Sequence, residues 1–396
     1  MIQYAGAEGV IDLGWGHPDP QLLPVEAWAA ATAAALRRAG WTALTYGYAP
    51  GPAPLREWLA GHLATVDGRP PDPDELLVTA GASQGLELVC TALTRPGDVA
   101  LVDQPAYHLA LKLLADHRLE LRAAPAGPDG IDPDRTAGLV RQLRAAGRRV
   151  PLLYLVPTFN NPSGASLPAA HRRALVGALA GLITIVEDDT YRELAYPGPA
   201  PPSLWSLAAS GVIRLGSFSK TVAPGLRLGY LSAGAGFVRR LAARGQLDSG
   251  GCLNHTAAMV LAEFGTSGRY AAHVATLRTA YRQRRDVLVA ALREQAPALE
   301  LAVPDGGWFL WLRAPGAAGL ARLATRHGTA LLTGERFFVD GAAGGGRDRL
   351  RAAFSRLGPD ELVEAARRLG RAYRELPLAG RAGREPDPDP DHGRSG

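Results

Sequence analysis

The chain has 396 residues, 47% of them hydrophobic and 20% charged, enough for one large domain or two ordinary ones with a sizeable core. The net charge is +5, but acids are interleaved with the arginines throughout, so a nucleic-acid surface is not expected. Two cysteines, Cys90 and Cys252, exclude a disulfide framework and a cysteine-rich zinc site, and no apolar run approaches ~18 residues, which excludes a transmembrane helix. The opening MIQYAGAEGVIDLGWG has no basic stretch before an apolar run, so no secretory signal is read there and a cytoplasmic location is expected.

From about residue 76 to 233 short apolar runs alternate with amphipathic segments. The runs are LLVTA (76–80), VALVD (99–103), VPLLYLVP (150–157), LITIVED (182–188) and VIRLGS (212–217). They are continuously apolar rather than alternating, which is how strands covered on both faces read. SQGLELVCTALTR and PAAHRRALVGALAG have helical periodicity, so the pattern predicts an α/β fold with a mostly parallel sheet. Residues 51–290 form the expected large domain. Residues 1–50 and 291–376 are expected to make a smaller α+β domain, with strand and helix patterns in GGWFLWLRA and ELVEAARRLGRAY. Residues 377–396, rich in proline, glycine and charge, read as a disordered tail.

In open α/β sheets ligands bind at the carboxyl ends of the strands. LITIVE delivers Asp188, Asp189 and Tyr191; VPLLYLVP delivers Thr158, Asn160, Asn161 and Gly164; VIRLG delivers Ser217, Ser219 and Lys220. LLVTA ends in Gly81, Ala82, Ser83 and Gln84 at a helix start, where free backbone N–H groups and the helix dipole suit phosphate. Of 43 basic residues only Lys112 and Lys220 are lysine. In so arginine-biased a chain a lysine points to a task a guanidinium cannot do: an amine can lose its proton and attack a carbonyl. Lys112 lies in a helical pattern and reads as a solvated charge. His17, His108 and His255 read as structural, and Cys252 is not read as a nucleophile.

The stretch SFSKTVAPGLRLGY resembles the cofactor-lysine motif of fold-type I pyridoxal-phosphate enzymes. More closely, the chain is similar to class I/II aminotransferases, in the branch of 2-aminoadipate-type transaminases and the aminotransferase-like domains of GntR-type regulators. GHPDPQLLP, the Tyr46–Arg56 pattern Y(x)4G(x)3LR, VPTFNNPSG, VEDDTYREL, PDGGWFLWL and LRAAFS match in the same order. The resemblance implies a seven-stranded, mostly parallel sheet and pyridoxal 5′-phosphate as cofactor. It implies that Lys220 holds the cofactor through its amine and moves a proton at the substrate Cα, and that Asp188 pairs with the ring nitrogen. Asp188 is preferred over Asp189 because the family pattern is Asp-x-x-Tyr, which ends at Tyr191. Tyr191 and Asn161 would hydrogen-bond the cofactor phenolic oxygen and Tyr107 would stack on the ring. Ala82, Ser83, Gln84, Ser217, Ser219 and Arg227 would hold phosphate. Tyr46 would reach the phosphate of a neighbouring subunit, which implies a homodimer with shared sites. Arg351 would grip the substrate carboxylate as a fork, assisted by Gly16 and Asn161.

The implied activity is transfer of the α-amino group of an L-amino acid to a 2-oxo acid by a ping-pong cycle. Trp15, Leu22, Leu23, Tyr48 and Trp308 are apolar or aromatic candidates for the side-chain pocket, which leans towards a hydrophobic or aromatic substrate. Trp15, Leu23 and Trp308 depart from the residues usual in that branch. Such departures leave elimination, cyclisation or oxidation at the side chain as an alternative. A transcription regulator would carry a winged helix-turn-helix domain ahead of GHPDP; that segment starts at Gly16, so neither such a domain nor a DNA partner is expected.

Overall fold

The structure, a computed structural model, describes residues 8–127, 129–208, 210–341 and 345–377. Residues 378–396, almost the whole expected tail, lie outside the described residues. In chain order the strands are β1 (Ile11–Asp12), β2 (Leu76–Thr79), β3 (Val99–Val102), β4 (Glu120–Ala123), β5 (Ala126–Gly127), β6 (Gly130–Ile131), β7 (Leu152–Leu155) and β8 (Thr184–Asp188). They continue as β9 (Val212–Ser217), β10 (Gly229–Ser232), β11 (Glu300–Leu301), β12 (Phe309–Arg313), β13 (Thr329–Ala330), β14 (Leu332–Thr333) and β15 (Arg349–Ala353).

A seven-stranded sheet runs in the order β2-β10-β9-β8-β7-β3-β4. All its pairings are parallel except those of β10, which is antiparallel to β9 and β2. The reason lies in the connections. Parallel neighbours are joined through helices, whereas only the loop 218–228 separates β9 from β10, too short for a crossover. Every residue of β2, β3, β7 and β10 is buried, as expected of strands covered on both faces. Helix Ala82–Leu93 buries Leu86, Val89 and Cys90, spaced three and four apart on one face. Each such leucine or valine stabilises the layer by about 1.5–3 kcal/mol.

A second, antiparallel sheet of order β11-β12-β15-β14 packs its Leu310, Leu312 and Leu350 against Leu288 and Leu292 of helix Arg269–Gln295 and Leu362 and Leu369 of helix Pro359–Glu375. The N-terminal segment joins this layer: β1 pairs in parallel with β13, and Leu13 enters the same core. The segment that follows is tied to β15 and its end: the Ala353 N–H donates to the Leu13 carbonyl and the Ser355 hydroxyl to the His17 carbonyl, both at 2.7 Å. Gly16 sits so close that a Cβ there would lie 2.6 Å from the Phe309 ring. Among the described residues no helix is long and apolar enough to cross a membrane.

Candidate active site

The carboxyl ends of β2, β7, β8 and β9 open on one edge of the large sheet, and Lys220 lies just past β9. Its amine is 4.6 Å from the centre of the Trp308 ring and 5.9 Å from that of Tyr191. Burial pushes the amine down to about 8; Asp188 acts to raise it, and Arg351 and Arg227 to lower it. A fraction of Lys220 is therefore unprotonated near neutral pH and able to act as a nucleophile or base.

Asp188 ends β8. Tyr154, buried on the adjacent strand β7, donates to its Oδ2 at 2.7 Å, and Thr190 donates to its Oδ1 at 2.6 Å. Burial raises the carboxyl pKa, and these two hydrogen bonds oppose the rise by favouring the anion. Asp189 points the other way, because successive residues of a strand alternate. Its carboxylate pairs with Arg214 at 2.9 Å inside a buried cluster, where Arg192 also bridges to Asp67 at 2.7 Å. The two aspartates are thereby separated: Asp189 is consumed by structure and Asp188 faces the site.

Helix Ala82–Leu93 starts behind Gly81, whose φ of +83° suits glycine. Gly81 lies under the Arg227 guanidinium, with a Cβ there only 2.8 Å from Nη2, and Arg227 donates to the Ala80 carbonyl at 3.1 Å. Gly229 backs Gly81 so closely that a Cβ would meet the Gly81 carbonyl carbon at 2.9 Å. Ser217 accepts from the Ser219 N–H at 3.2 Å, which curls the post-β9 loop towards this corner. Gln84 Oε1 accepts from the Ala80 N–H at 2.7 Å, while its buried Nε2 has no partner. The corner combines helix-start N–H groups, a guanidinium, two serine hydroxyls and an unmatched amide donor, which is the donor set of a phosphate site.

On the opposite wall, Arg351 of β15 is buried between the rings of Phe309 at 4.2 Å and Phe337 at 5.0 Å. It donates to Asn161 Oδ1 at 2.6 Å and to the Gly14 carbonyl at 2.5 Å, and its Nε has no partner. Burial lowers its pKa to about 10, which still leaves it cationic at neutral pH. Asn161 is in turn hydrogen-bonded to Tyr191, so one side chain ties Arg351 to the Lys220 group. Tyr107 is close enough for Asp188, Arg351 and Arg227 to act on its hydroxyl.

Lys220, Asp188, Tyr191, Asn161, Tyr107, Arg227, Arg351 and Gly16 thus converge around one cleft, with Ala82, Ser83, Gln84, Ser217 and Ser219 at its phosphate-like corner. Tyr46 does not join them. It is 84% exposed, and among the described residues no hydrogen bond ties it to this group. Of the candidate pocket residues, Trp308 is wholly buried beside Lys220, Leu22 packs into the core, and Tyr48 is exposed beside Arg56. Cys252 is buried, its thiol pushed up to about 12 by burial, and so stays protonated.

Residues 8–369 match the family model of aminotransferase class I and II. The chain belongs to that family. This aminotransferase is 33% identical over 387 residues to a 2-aminoadipate transaminase of Thermus thermophilus, covering 95% of this chain and 93% of the relative. It is 29% identical to aromatic-amino-acid aminotransferase 1 of Thermococcus litoralis over 95% of this chain and 90% of that one. Its fold superposes with a TM-score of 0.85, at 28% identity, on a crystal structure of Pyrococcus horikoshii kynurenine aminotransferase solved with PMP, KYN and KYA, covering 93% and 92% of the two chains. The cofactor of class I and II aminotransferases is pyridoxal 5′-phosphate, and this aminotransferase has the residues for it: an unmatched donor at the phosphate corner, a buried carboxylate with both oxygens oriented, and a neighbouring lysine of lowered pKa.

Four contributors are absent from the sequence-level list. Tyr154 sits in an unbroken apolar run, where its hydroxyl among aliphatic residues was the available signal. Thr190 lies inside VEDDTY but carries no spacing cue. Phe337 lies in GERFF, outside the motifs that carry the resemblance, and the Gly14 carbonyl is backbone; neither has a sequence signature.

Proposed function

We propose that this aminotransferase moves the α-amino group of an L-amino acid to a 2-oxo acid in a ping-pong cycle, with Lys220 as its cofactor lysine. The observation that carries the reading is the convergence of an amine of lowered pKa, a doubly hydrogen-bonded carboxylate and a buried, partly unmatched arginine on one cleft. Pyridoxal phosphate, when bound, supplies a carbonyl that accepts the amino group and a ring that withdraws electrons from the substrate Cα.

The residues divide the remaining work. Ala82, Ser83, Gln84, Ser217, Ser219 and Arg227 hold the phosphate. Asp188, whose anionic form its two donors favour against burial, would pair with the ring nitrogen and keep it protonated. Tyr191 and Asn161 donate towards the phenolic oxygen, and Tyr107 covers the ring. Arg351, pinned by Asn161 and Gly14, presents its unmatched Nε and its remaining N–H groups to the substrate carboxylate, with the Gly16 backbone alongside. Lys220 would take the proton from the substrate Cα and move it to the cofactor C4′. Phe309, Phe337 and Trp308 exclude water from this wall, which supports a substrate with a hydrophobic or aromatic side chain.

Tyr46 belongs to an exposed apolar stretch with Trp41, Leu44 and Tyr48. An apolar face of that kind is suited to burial against a second copy, from which Tyr46 would complete the neighbour's phosphate site.

A half-reaction tests the proposal. Cofactor-loaded enzyme is mixed with single L-amino acids and no oxo acid, with and without air, and products are identified by mass spectrometry. One equivalent of the matching 2-oxo acid in both atmospheres is expected, together with one equivalent of amine-form cofactor. Repeated turnover without an acceptor, or a product altered at its side chain, would refute transamination.

A further inference from the structure

If Lys220 is the cofactor lysine, as the preceding reading holds, its amine is freed during each cycle and alternates between neutral and charged forms. The groups facing it are Asp188, Arg351, Arg227, Tyr191 and, from the N-terminal segment, His17. Two of these are fixed cations that oppose a charge on Lys220. The carboxylate that would favour the charge already accepts from Tyr154 and Thr190 and is assigned to the cofactor ring.

Trp308 supplies an uncharged counterpart. Its ring centre lies 4.6 Å from Lys220 Nζ, within the range of a cation–π contact. The indole is held edge-on by Tyr191 at 5.8 Å and Tyr281 at 5.6 Å and is fully buried. Gly16 stands behind it, where a Cβ would come 3.6 Å from Cε3. A cation–π contact is strongest when fixed and dry. Packing alone does not account for an indole here, because its Nε1 is buried without a partner, a cost that a smaller apolar residue would avoid.

We propose that Trp308 is a positioning residue for the cofactor lysine: its π face seats the freed Lys220 ammonium and raises its proton affinity against Arg351 and Arg227.

The chain's two lysines make this directly measurable, since [ε-13C]lysine labelling gives signals only from Lys112 and Lys220, and Lys112→Arg assigns them. The enzyme is taken in its amine-cofactor form, where Lys220 is free, and the Lys220 signal is titrated with pH. In Trp308→Leu the midpoint is expected to fall by about one unit. In Trp308→Phe, which keeps a weaker ring, it falls less. Incorporation of 5-fluorotryptophan, which drains the π face with little change of shape, lowers the midpoint in the otherwise unaltered enzyme but not in Trp308→Phe. This arm stands even if the leucine variant does not fold. Midpoints unmoved by leucine and by fluorination would overturn the proposal. Borohydride reduction and peptide mapping separate the two levels. Cofactor trapped on another residue defeats the assignment of Lys220 itself, whereas cofactor on Lys220 with an unmoved midpoint defeats only the role of Trp308.

Discussion

Lys220 and its neighbours show how much depends on the kind of charge rather than its sign. Arginine at this position would keep the cation and lose the ability to shed its proton. Lys220→Arg is therefore expected to leave a folded protein with no borohydride-reducible bond to the cofactor and turnover lowered at least about 10³-fold, read by absorbance and mass spectrometry. Tyr154 acts one step back, through Asp188. Its hydrogen bond favours the carboxylate anion. Removing it in Tyr154→Phe disfavours the charged form, so the Asp188 pKa rises. The acid limb of the kcat/KM profile should then move to higher pH, by up to about one unit. A profile unchanged in shape would mean that Thr190 alone orients the aspartate.

Single elements contribute by placing atoms where no side chain could reach. The start of helix Ala82–Leu93 offers its N–H groups only because Gly81 turns with positive φ and leaves space for Arg227. In Gly81→Ala the new methyl would displace the guanidinium, and the backbone conformation, φ +83° with ψ 170°, which is essentially glycine's alone, would cost about 1–3 kcal/mol. Cofactor affinity is expected to drop at least about tenfold, measured by titrating the cofactor-free protein, with little loss of secondary structure. The hairpin of β9 and β10 belongs to the same design. By running antiparallel it brings Gly229 against Gly81 and hangs the Lys220 loop over the phosphate corner.

The whole molecule rests on charges buried beneath that edge. Asp67 and Asp189 meet Arg192 and Arg214 with all four side chains almost out of solvent. Such a cluster is strained by desolvation and sensitive to any missing member. Arg214→Met would leave two carboxylates short of a partner and is expected to lower unfolding free energy by about 3–5 kcal/mol, measured with urea. The pH dependence has a definite sign. Burial raises the Asp67 pKa, but Arg214 and Arg192 together outweigh it and hold the value below the usual one. The stability this adds is present above the unfolded pKa of about 4 and is lost as pH falls through the lower folded value. Asp67→Asn should flatten that acid loss while lowering stability at neutral pH. At the surface, Trp41 and Tyr46 are 76% and 84% exposed. If this stretch joins two copies, Trp41→Glu should shift the sedimentation mass from dimer towards monomer and weaken cofactor binding with it.

The parallel sheet, its helices and the loops that end in Lys220, Asp188 and Asn161 were legible in the chain because strand burial and strand ends leave continuous local patterns. The choice of Asp188 over Asp189 came from the resemblance, through the family's Asp-x-x-Tyr pattern, but the physical separation is tertiary: a step of one residue at the end of β8 sends one carboxylate to Tyr154 and the other to Arg214. Arg351 was readable from LRAAFS, whereas the rings that enclose it come from β12 and from a stretch near Phe337 with no periodicity. The contact of Trp308 with Lys220 joins positions 88 residues apart. A local pattern records what a segment needs for its own burial; which side chains then meet across the cleft follows from how β1, β12 and the large sheet pack together.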